Sequence, residues 1–400
     1  MIFALVVGGL VALIHLYLWK RLVKDTTEAG RARRVGGLVL AGLAALVALT
    51  LVVGRLVGPG IARWFAWPGF VWFGLMAYLF LVLAVLELPR LALRGWTRRG
   101  PVVATAMTAP EANTATPEAN TATPEANTRR VFLARGCAVA AGVASAGLVG
   151  AGMVSALGPP EVTRLSVPLR RLDPRLAGFR IAVVSDIHLG SLLGRGHTER
   201  IVHMINETEP DLVAIVGDLV DGTVDELGPA VEPLQDLVSG HGTYFVTGNH
   251  EYYSGYEPWM AELERLGVQP LRNERTGIQR GDAGFDLAGI NDVNGRSVAD
   301  GPDLDRALAG RDPARPVVLL AHQPVQVAGA AERGVDLQLS GHTHGGQLYP
   351  FHHVVRLVQP SLSGLSKVDD TWLYVTRGAG FWGPPVRVGA APEISVVELR

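Results

Sequence analysis

The chain has 400 residues, 48% of them hydrophobic, and carries a formal net charge of −1 at pH 7. Its single cysteine, Cys137, excludes a disulfide framework as well as thiolate-zinc and iron–sulfur sites. Residues 1–157 carry 15 Lys/Arg against 6 Asp/Glu, whereas the remaining residues carry 21 against 31, so a basic part precedes an acidic one. Because a nucleic-acid backbone needs a basic surface, no nucleic-acid partner is expected for the acidic part.

Three apolar stretches open the chain, at 2–19, 36–57 and 65–88. Each is long enough to cross a membrane, which takes ~20 helical residues. The loop between the first two is strongly basic and is expected to stay in the cytoplasm. The sequence therefore predicts a three-helix transmembrane region over 1–95, with the N-terminus and the 58–64 loop outside. His15 is interpreted as a packing or interfacial residue.

Residues 96–128 have the composition of a low-complexity linker. The motif PEANTAT begins at Pro110 and again at Pro117, and part of it follows from Pro124. The seven-residue period lacks an apolar a/d pair, which excludes a coiled coil. Its Pro, Thr and Asn content predicts a flexible, hydrated tether.

Residues 129–157 leave two interpretations open. Arg129 and Arg130 followed by an apolar stretch resemble a twin-arginine export signal inside the chain. The alternative is a fourth transmembrane helix with basic cytoplasmic flanks. Both place the later domain outside the cytoplasm. Cleavage after Ala156 is conceivable, but retention of the segment as an anchor is expected.

Five polar segments in the second part each follow a short apolar run. Short Val/Ile/Leu runs that end in Gly, Asp or Asn are typical of buried strands, and helical periodicity lies between them, as at 199–206 and 226–238. In sheets with many parallel strands, ligands collect beyond the carboxyl ends of the strands. The segments are DIHLG (186–190), GDLVDG (217–222), GNHE (248–251), AHQP (321–324) and GHTHGGQ (341–347).

The residue types in these segments point to metal chemistry. Asp, His and Asn offer oxygen and nitrogen ligands, a set that suits Mn, Fe or Zn better than Ca or Mg. Seven ligands are too many for one tetrahedral ion but suit two divalent ions that share a carboxylate and activate a water. The candidate ligands are Asp186, His188, Asp218, Asn249, His322, His342 and His344.

The five segments, in this order, resemble the signature blocks of the calcineurin-like metallophosphoesterase superfamily, over about 178–400. GHTHGGQ with the tail YVTRGAG…PEISVVEL resembles the bacterial membrane-anchored branch. The resemblance implies an α/β fold, a four-layer α/β/β/α sandwich over 158–400 preceded by transmembrane helices. It also implies ligand roles, with Asp186, His188 and His344 on one metal, Asn249, His322 and His342 on the other, and Asp218 bridging.

The resemblance implies roles for two further residues. His250 would protonate the leaving oxygen, and Asp221 would orient His250 by fixing the tautomer of its ring. The alternative for Asp221 is the N-cap of a helix over 222–238. Glu251 is expected to be a structural hydrogen-bonding residue.

One departure from the family pattern concerns the substrate. In protein-phosphatase relatives an arginine binds the substrate phosphate at the position of Gly222, so a phosphoprotein substrate is in doubt. Arg377 would either reach a phosphate or form a salt bridge at the rim. Among the other histidines, His197, His203 and His241 are expected to be exposed, and His352 and His353 are interpreted as surface residues.

Together these features predict a multi-pass, membrane-anchored phosphoesterase with a dinuclear metal centre on the extracytoplasmic side. It would hydrolyse phosphodiester or lipid-linked phosphoesters by attack of a metal-bridged hydroxide. Membrane lipids are expected partners, and apolar side chains near the motifs would form either a rim for acyl or prenyl chains or a self-packed loop cluster. A non-catalytic metal-binding envelope module is the alternative, and a channel with an accessory domain is disfavoured. The rim residues would be Leu192, Leu193, Tyr252, Tyr253, Tyr256, Trp259, Phe381 and Trp382.

Overall fold

A computed structural model describes residues 2–95 and 124–400. Most of the predicted linker, 96–123, lies outside the described residues. The described helices are α1 (Ile2–Leu18), α2 (Arg31–Val52), α3 (Pro59–Ala92), α4 (Pro124–Leu157), α5 (Arg195–Glu207), α6 (Val224–Val231), α7 (Asn249–Ser254), α8 (Tyr256–Arg265), α9 (Leu304–Ala307), α10 (Val327–Glu332) and α11 (His352–Val355). The strands are β1 (Glu161–Val167), β2 (Phe179–Val184), β3 (Leu212–Val216), β4 (Thr243–Val246), β5 (Val268–Pro270), β6 (Glu274–Arg280), β7 (Ala283–Gly289), β8 (Val317–Leu320), β9 (Leu337–Ser340), β10 (Gly364–Val368), β11 (Thr371–Val375) and β12 (Glu393–Leu399).

Among the described residues, four helices are long and apolar enough to cross a membrane. Their candidate spans are Val6–Lys24, Arg31–Val52, Pro59–Ala92 and Thr128–Leu157. The three apolar stretches predicted at the N-terminus are therefore helical, and the segment that carries Arg129 and Arg130 forms a fourth long helix. This helix begins at Pro124, inside the segment predicted as linker.

The chain divides into two compact units, one of 1–51 with 71–149 and one of 52–70 with 150–400. In the first, Trp72 Nε1 donates to His15 Nε2 at 3.0 Å, which agrees with a packing role for this histidine. Arg21 pairs with Glu87 at 2.8 Å, so the carboxylate of α3 is neutralised by a basic residue that follows α1.

The second unit contains two six-stranded mixed sheets. The first has the strand order β1-β12-β2-β3-β4-β5, and the second has the order β10-β11-β9-β8-β7-β6. Strands β2 to β5 run parallel to one another, as do β7, β8, β9 and β11. All five predicted strands exist, and each ends at the motif that the sequence places after it.

Burial on both faces explains why these strands read as continuous apolar runs. One face of the first sheet packs on α5 to α8, through residues such as Ile205 and Trp259. Its other face meets the second sheet across a core that includes Val183 and Leu339. The outer face of the second sheet packs against α9 and α10 through Ala307 and Ala330. The layers are thus helix, sheet, sheet and helix, as predicted for the four-layer sandwich.

Candidate metal centre

The backbone at the ends of the central strands is unusually strained. Left-handed φ angles are uncommon for residues other than glycine, and they cluster at functional sites where the surrounding fold enforces them. Five of the seven candidate ligands adopt them: Asp186 (53°), His188 (50°), Asp218 (52°), His342 (70°) and His344 (51°). The loops are therefore shaped to turn these side chains toward common points.

The first group of ligands comes from the loops after β2 and β9. His344 Nε2 lies 3.2 Å from Asp186 Oδ1 and 3.1 Å from His188 Nε2. One ligand atom from each of Asp186, His188 and His344 fits within 4.8 Å of the others. These are the three residues predicted for one metal.

The second group joins the loops after β3, β8 and β9. His322 Nε2 lies 3.2 Å from both Asp218 Oδ2 and His342 Nδ1. Ligand atoms of Asp218, His322 and His342 again fall within 4.8 Å of one another. Asp218 Oδ2 also lies 3.8 Å from His188 Nε2 of the first group. The Asp218 carboxylate therefore stands between the two groups, where a bridging ligand has to be.

The surroundings of Asn249, the seventh candidate, indicate whether the site can hold an ion. Its side chain is buried at the start of α7, and its Oδ1 atom has no hydrogen-bond partner among the described residues. A buried amide oxygen without a partner is costly, and a bound cation would satisfy it. The donor set, mixed in nitrogen and oxygen, suits divalent transition ions. The residues present thus fit a two-metal centre.

Burial and charge keep two candidate ligands in the neutral form that metal binding requires. Burial lowers the pKa of His342 to about 3. Burial and the cation of Arg387 hold the pKa of His344 well below its usual range. Neither imidazole therefore needs to lose a proton before it can act as a ligand at neutral pH. Burial opposes a charge on His322 as well, but there the Asp218 carboxylate outweighs it and raises the pKa of His322 well above its usual range. His322 therefore has to release a proton when it binds an ion.

His250 and Asp221 form a pair beside the two groups. His250 Nδ1 lies 2.5 Å from Asp221 Oδ1, and His250 Nε2 faces the ligands, 4.0 Å from Asp218 Oδ2. Burial opposes a charge on His250, but the Asp218 and Asp221 carboxylates outweigh it and raise the pKa of His250 to about 9. The N-cap of α6 is Thr223, so the interpretation of Asp221 as the N-cap is wrong.

Glu251 builds the scaffold under these residues, as expected. Its buried carboxylate accepts hydrogen bonds from the backbone N–H groups of Asp218 (3.0 Å), Leu219 (2.8 Å) and Gly248 (2.6 Å). A Cβ atom on Gly248 would overlap with Asp218 Oδ1, which explains the glycine before Asn249. The carboxylate therefore fixes the β3 loop against the start of α7.

Sequence reasoning missed Arg387, which lies behind the first group. This guanidinium is buried and donates to the carbonyl oxygens of His344 and Arg377 at 2.8 Å, and it contacts His344 Nδ1 at 3.2 Å. A lone arginine within the apolar run PPVRVG was the signal that would have found it. Asp292, which follows β7, was also missed, although it too stands at a strand end. It accepts 2.9 and 3.1 Å hydrogen bonds from Gln323 Nε2.

The structure shows the surroundings of Gly222 and the partners of Arg377. A Cβ atom on Gly222 would lie 3.0 Å from Glu226 and Leu227 and 3.3 Å from Pro59 at the start of α3, so any side chain at this position would press on these neighbours. Arg377 pairs with Glu393 at 2.7 Å and with Glu161 at 2.9 Å. Of the two roles predicted for Arg377, these contacts match the salt bridge.

Some expectations about exposure are wrong. His197 is buried rather than exposed, because α5 packs it into the second unit, whereas His203 is exposed as expected. Of the predicted rim, Leu193, Trp259 and Phe381 are core residues, and Trp259 Nε1 donates to the Gly222 carbonyl oxygen at 2.9 Å. Half of the Trp382 side chain remains exposed, as does most of Tyr253.

Comparisons with known proteins agree with this geometry. The profile of the family described as "Calcineurin-like phosphoesterase" matches residues 179–346. A zebrafish (Danio rerio) protein named "Transmembrane protein with metallophosphoesterase domain" is 34% identical over 413 residues, which cover 100% of this chain and 89% of that protein. A cattle (Bos taurus) protein of the same name is 43% identical, over 62% of this chain and 59% of its own length. An "Uncharacterized metallophosphoesterase" of Helicobacter pylori is 41% identical, over 62% and 66% of the two chains.

The comparison covers only part of two of these relatives. The chain spans only 59% of the bovine protein and 66% of the bacterial one. Relatives of similar identity come from vertebrates and from a bacterium, so the narrower assignment to a bacterial branch stays a prediction. The four apolar helices and the relatives named as transmembrane proteins both indicate a membrane protein.

Proposed function

Because the chain belongs to the calcineurin-like phosphoesterase family, we propose that it hydrolyses phosphodiester or lipid-linked phosphoester bonds at a dinuclear metal centre on the extracytoplasmic face of a membrane. The observation that carries this proposal is the position of the Asp218 carboxylate between two groups of ligands, with His250 facing it. Two divalent ions held there would supply an activated water and neutralise charge on the phosphoryl group.

The protein's own residues account for the proton that the leaving oxygen needs. The hydrogen bond to Asp221 engages His250 Nδ1 and leaves His250 Nε2 pointing at the ligand groups. Burial opposes a charge on His250, but the Asp218 and Asp221 carboxylates outweigh it and raise the pKa of His250 to about 9. The hydrogen bond to Asp221 favours the imidazolium even where ions neutralise the charge of Asp218. His250 is therefore charged to hold an anionic phosphoryl group and positioned to donate the proton as the bond breaks.

Hydrolysis of a chromogenic phosphodiester by the purified full chain in nanodiscs tests this proposal. We expect turnover with Mn and none after treatment with a chelator. His203→Gln, which replaces an exposed histidine on α5, should turn over the ester as the wild type does. Metal binding without turnover on any phosphoester would contradict the proposal and favour the non-catalytic envelope module.

The proposed lipid-linked substrate is supported by the position of the catalytic unit. Residues 52–70 and 150–157 of the apolar helices belong to the same compact unit as the ligand groups. Gly222, next to Asp221, packs against Pro59 at the start of α3. A panel of phospholipids, nucleotide-linked lipids and soluble phosphodiesters tests this substrate class. Equal turnover of soluble and lipid esters would argue against it.

The proposed extracytoplasmic side is supported by the basic connection between α1 and α2. Its residues favour the cytoplasm, which leaves the start of α3 and the end of α4 on the other face. The basic residues are Lys20, Arg21, Lys24, Arg31, Arg33 and Arg34. Replacing the exposed Val238 with cysteine in a Cys137→Ser background provides one surface thiol. A membrane-impermeant maleimide should label it in intact cells, and labelling only after lysis would reverse the orientation.

A further inference from the structure

The segment that follows the GHTHGGQ loop exposes an apolar surface. Contiguous exposed apolar residues on a folded domain mark a site of interaction, with a membrane or with another protein. We name this surface the 349–382 apolar face, and its residues are Tyr349 (55% exposed), Phe351 (52%), Val354 (51%), Leu357 (83%), Val358 (69%) and Trp382 (50%).

Backbone hydrogen bonds connect this face to one end of α4. Tyr349 N donates to Val388 O at 3.0 Å, and Arg387 N donates to Gly152 O of α4 at 2.9 Å. A Cβ atom on Gly152 would lie 2.5 Å from Val386 and 2.9 Å from Val388, so the chain at 386–388 packs tightly against α4. The chain at 386–388 thus connects this face to a helix that is apolar enough to cross a membrane.

A second connection leads to α3. The Gln347 side chain donates to Trp382 O at 2.8 Å and accepts from Trp382 N at 3.0 Å. Gly383, the next residue, faces the Phe70 ring of α3 so closely that a Cβ atom on this glycine would lie 3.6 Å from the ring edge. Trp382 therefore stands near a residue about three turns into another candidate membrane span.

The length of α3 indicates where its first turns lie relative to the bilayer. At ~1.5 Å per residue, its 34 residues extend about 51 Å, whereas a hydrocarbon core is ~30 Å thick. The first turns carry Arg63, Trp64 and Trp67, and tryptophans of this kind concentrate at the membrane–water boundary. The turns that precede Phe70 thus have the composition of an interfacial segment.

We propose that the 349–382 apolar face inserts into the headgroup–acyl boundary of the membrane that the chain itself spans. Arg356 and His353, both exposed between the apolar residues, would meet lipid phosphates, as on interfacial helices. Because the same segment continues directly from His344, insertion brings the rim of the metal centre to the lipid surface. Membrane contact does not rest on the proposed function, since it requires no turnover.

Depth-dependent quenching of a fluorescent label tests the insertion. Cys137 is the only cysteine, so Cys137→Ser provides a background for a single thiol. An NBD label is placed at Val358→Cys and, as control, at Val238→Cys. The two valines match in exposure, at 69% and 68%, and Val238 precedes β4 at the opposite end of the sheet from the ligands. Leu357→Cys serves as a second position if Val358→Cys folds poorly.

In phosphatidylcholine–phosphatidylglycerol nanodiscs containing nitroxide lipids, the label at 358 should be quenched, as expected for a group buried ~5–10 Å into the headgroup–acyl boundary. The label at 238 should keep its fluorescence. Equal signals at both positions would overturn the proposal, as would energy transfer between labels on two copies in place of lipid quenching. Quenching without hydrolysis would refute only the proposed function, and hydrolysis without quenching would refute only the insertion.

Discussion

Replacing His197 should remove a pH-dependent loss of stability from the second unit. Burial, reinforced by the charge of Arg200, lowers the pKa of His197 to about 4. Its Nε2 atom has no hydrogen-bond partner within the described part of the chain. The folded state therefore holds a neutral imidazole, whereas the unfolded chain takes up a proton at the ordinary pKa of ~6.5.

The sign and size of the effect follow from this difference. Above pH 6.5 both states are neutral and His197 contributes no pH dependence. As the pH falls from 6.5 toward 4, only the unfolded state gains the proton, so the folded state loses stability, and below about 4 the loss is complete. With ~1.36 kcal/mol per pKa unit, the loss approaches about 3.4 kcal/mol and reaches about 2.6 kcal/mol at pH 4.5.

Pulse proteolysis in urea, with the full chain in detergent and chelator, measures the free energy of unfolding at pH 7.5 and 4.5. His197→Gln should lose about 2.6 kcal/mol less than the wild type between these pH values. His203→Gln, an exposed position on the same helix, should follow the wild type. Parallel pH profiles for His197→Gln and the wild type would refute the assignment of a buried neutral imidazole.

Further substitutions test the metal centre separately. Asp218→Asn should lose bound metal and turnover, because it removes the carboxylate between the two groups, and full metal content by elemental analysis would contradict a bridging role. His250→Ala should keep its metal but lose turnover by ~10²-fold or more on a substrate with a poor leaving group, and unchanged kcat would remove His250 as the acid. Glu251→Ala leaves three buried N–H groups without an acceptor and should cost about 3 kcal/mol or more in urea pulse proteolysis, while a stability within about 0.5 kcal/mol of the wild type would contradict the scaffold role.

Local sequence pattern was enough to predict the strands of the catalytic unit and the sheet edge where its polar residues meet, whereas the four-layer architecture was predicted from the resemblance to a family. Buried parallel strands require continuous apolar runs, and the polar residues that end such runs must meet at one edge of a sheet. That reasoning located the strands before Asp186, Asp218, Asn249, His322 and His342. The structure brings the His and Asp metal-ligand candidates of these motifs into two groups, and a third group joins His188 to Asp221 and His250. The N-terminal helices could also be predicted, because an apolar stretch of ~20 residues is typical of a membrane-spanning helix.

Tertiary packing decided what the pattern does not encode. Whether His197 is buried depends on the elements that cover α5, and the partners of Arg387 lie in loops brought together by folding. The lack of a side chain at Gly222 suits the close approach of Pro59, which is far away in sequence. Likewise, the predicted rim was wrong where apolar residues near a motif, such as Trp259, were needed to fill the core. Residue type and spacing fix local structure and chemistry, whereas burial and long-range contacts exist only once distant segments have packed together.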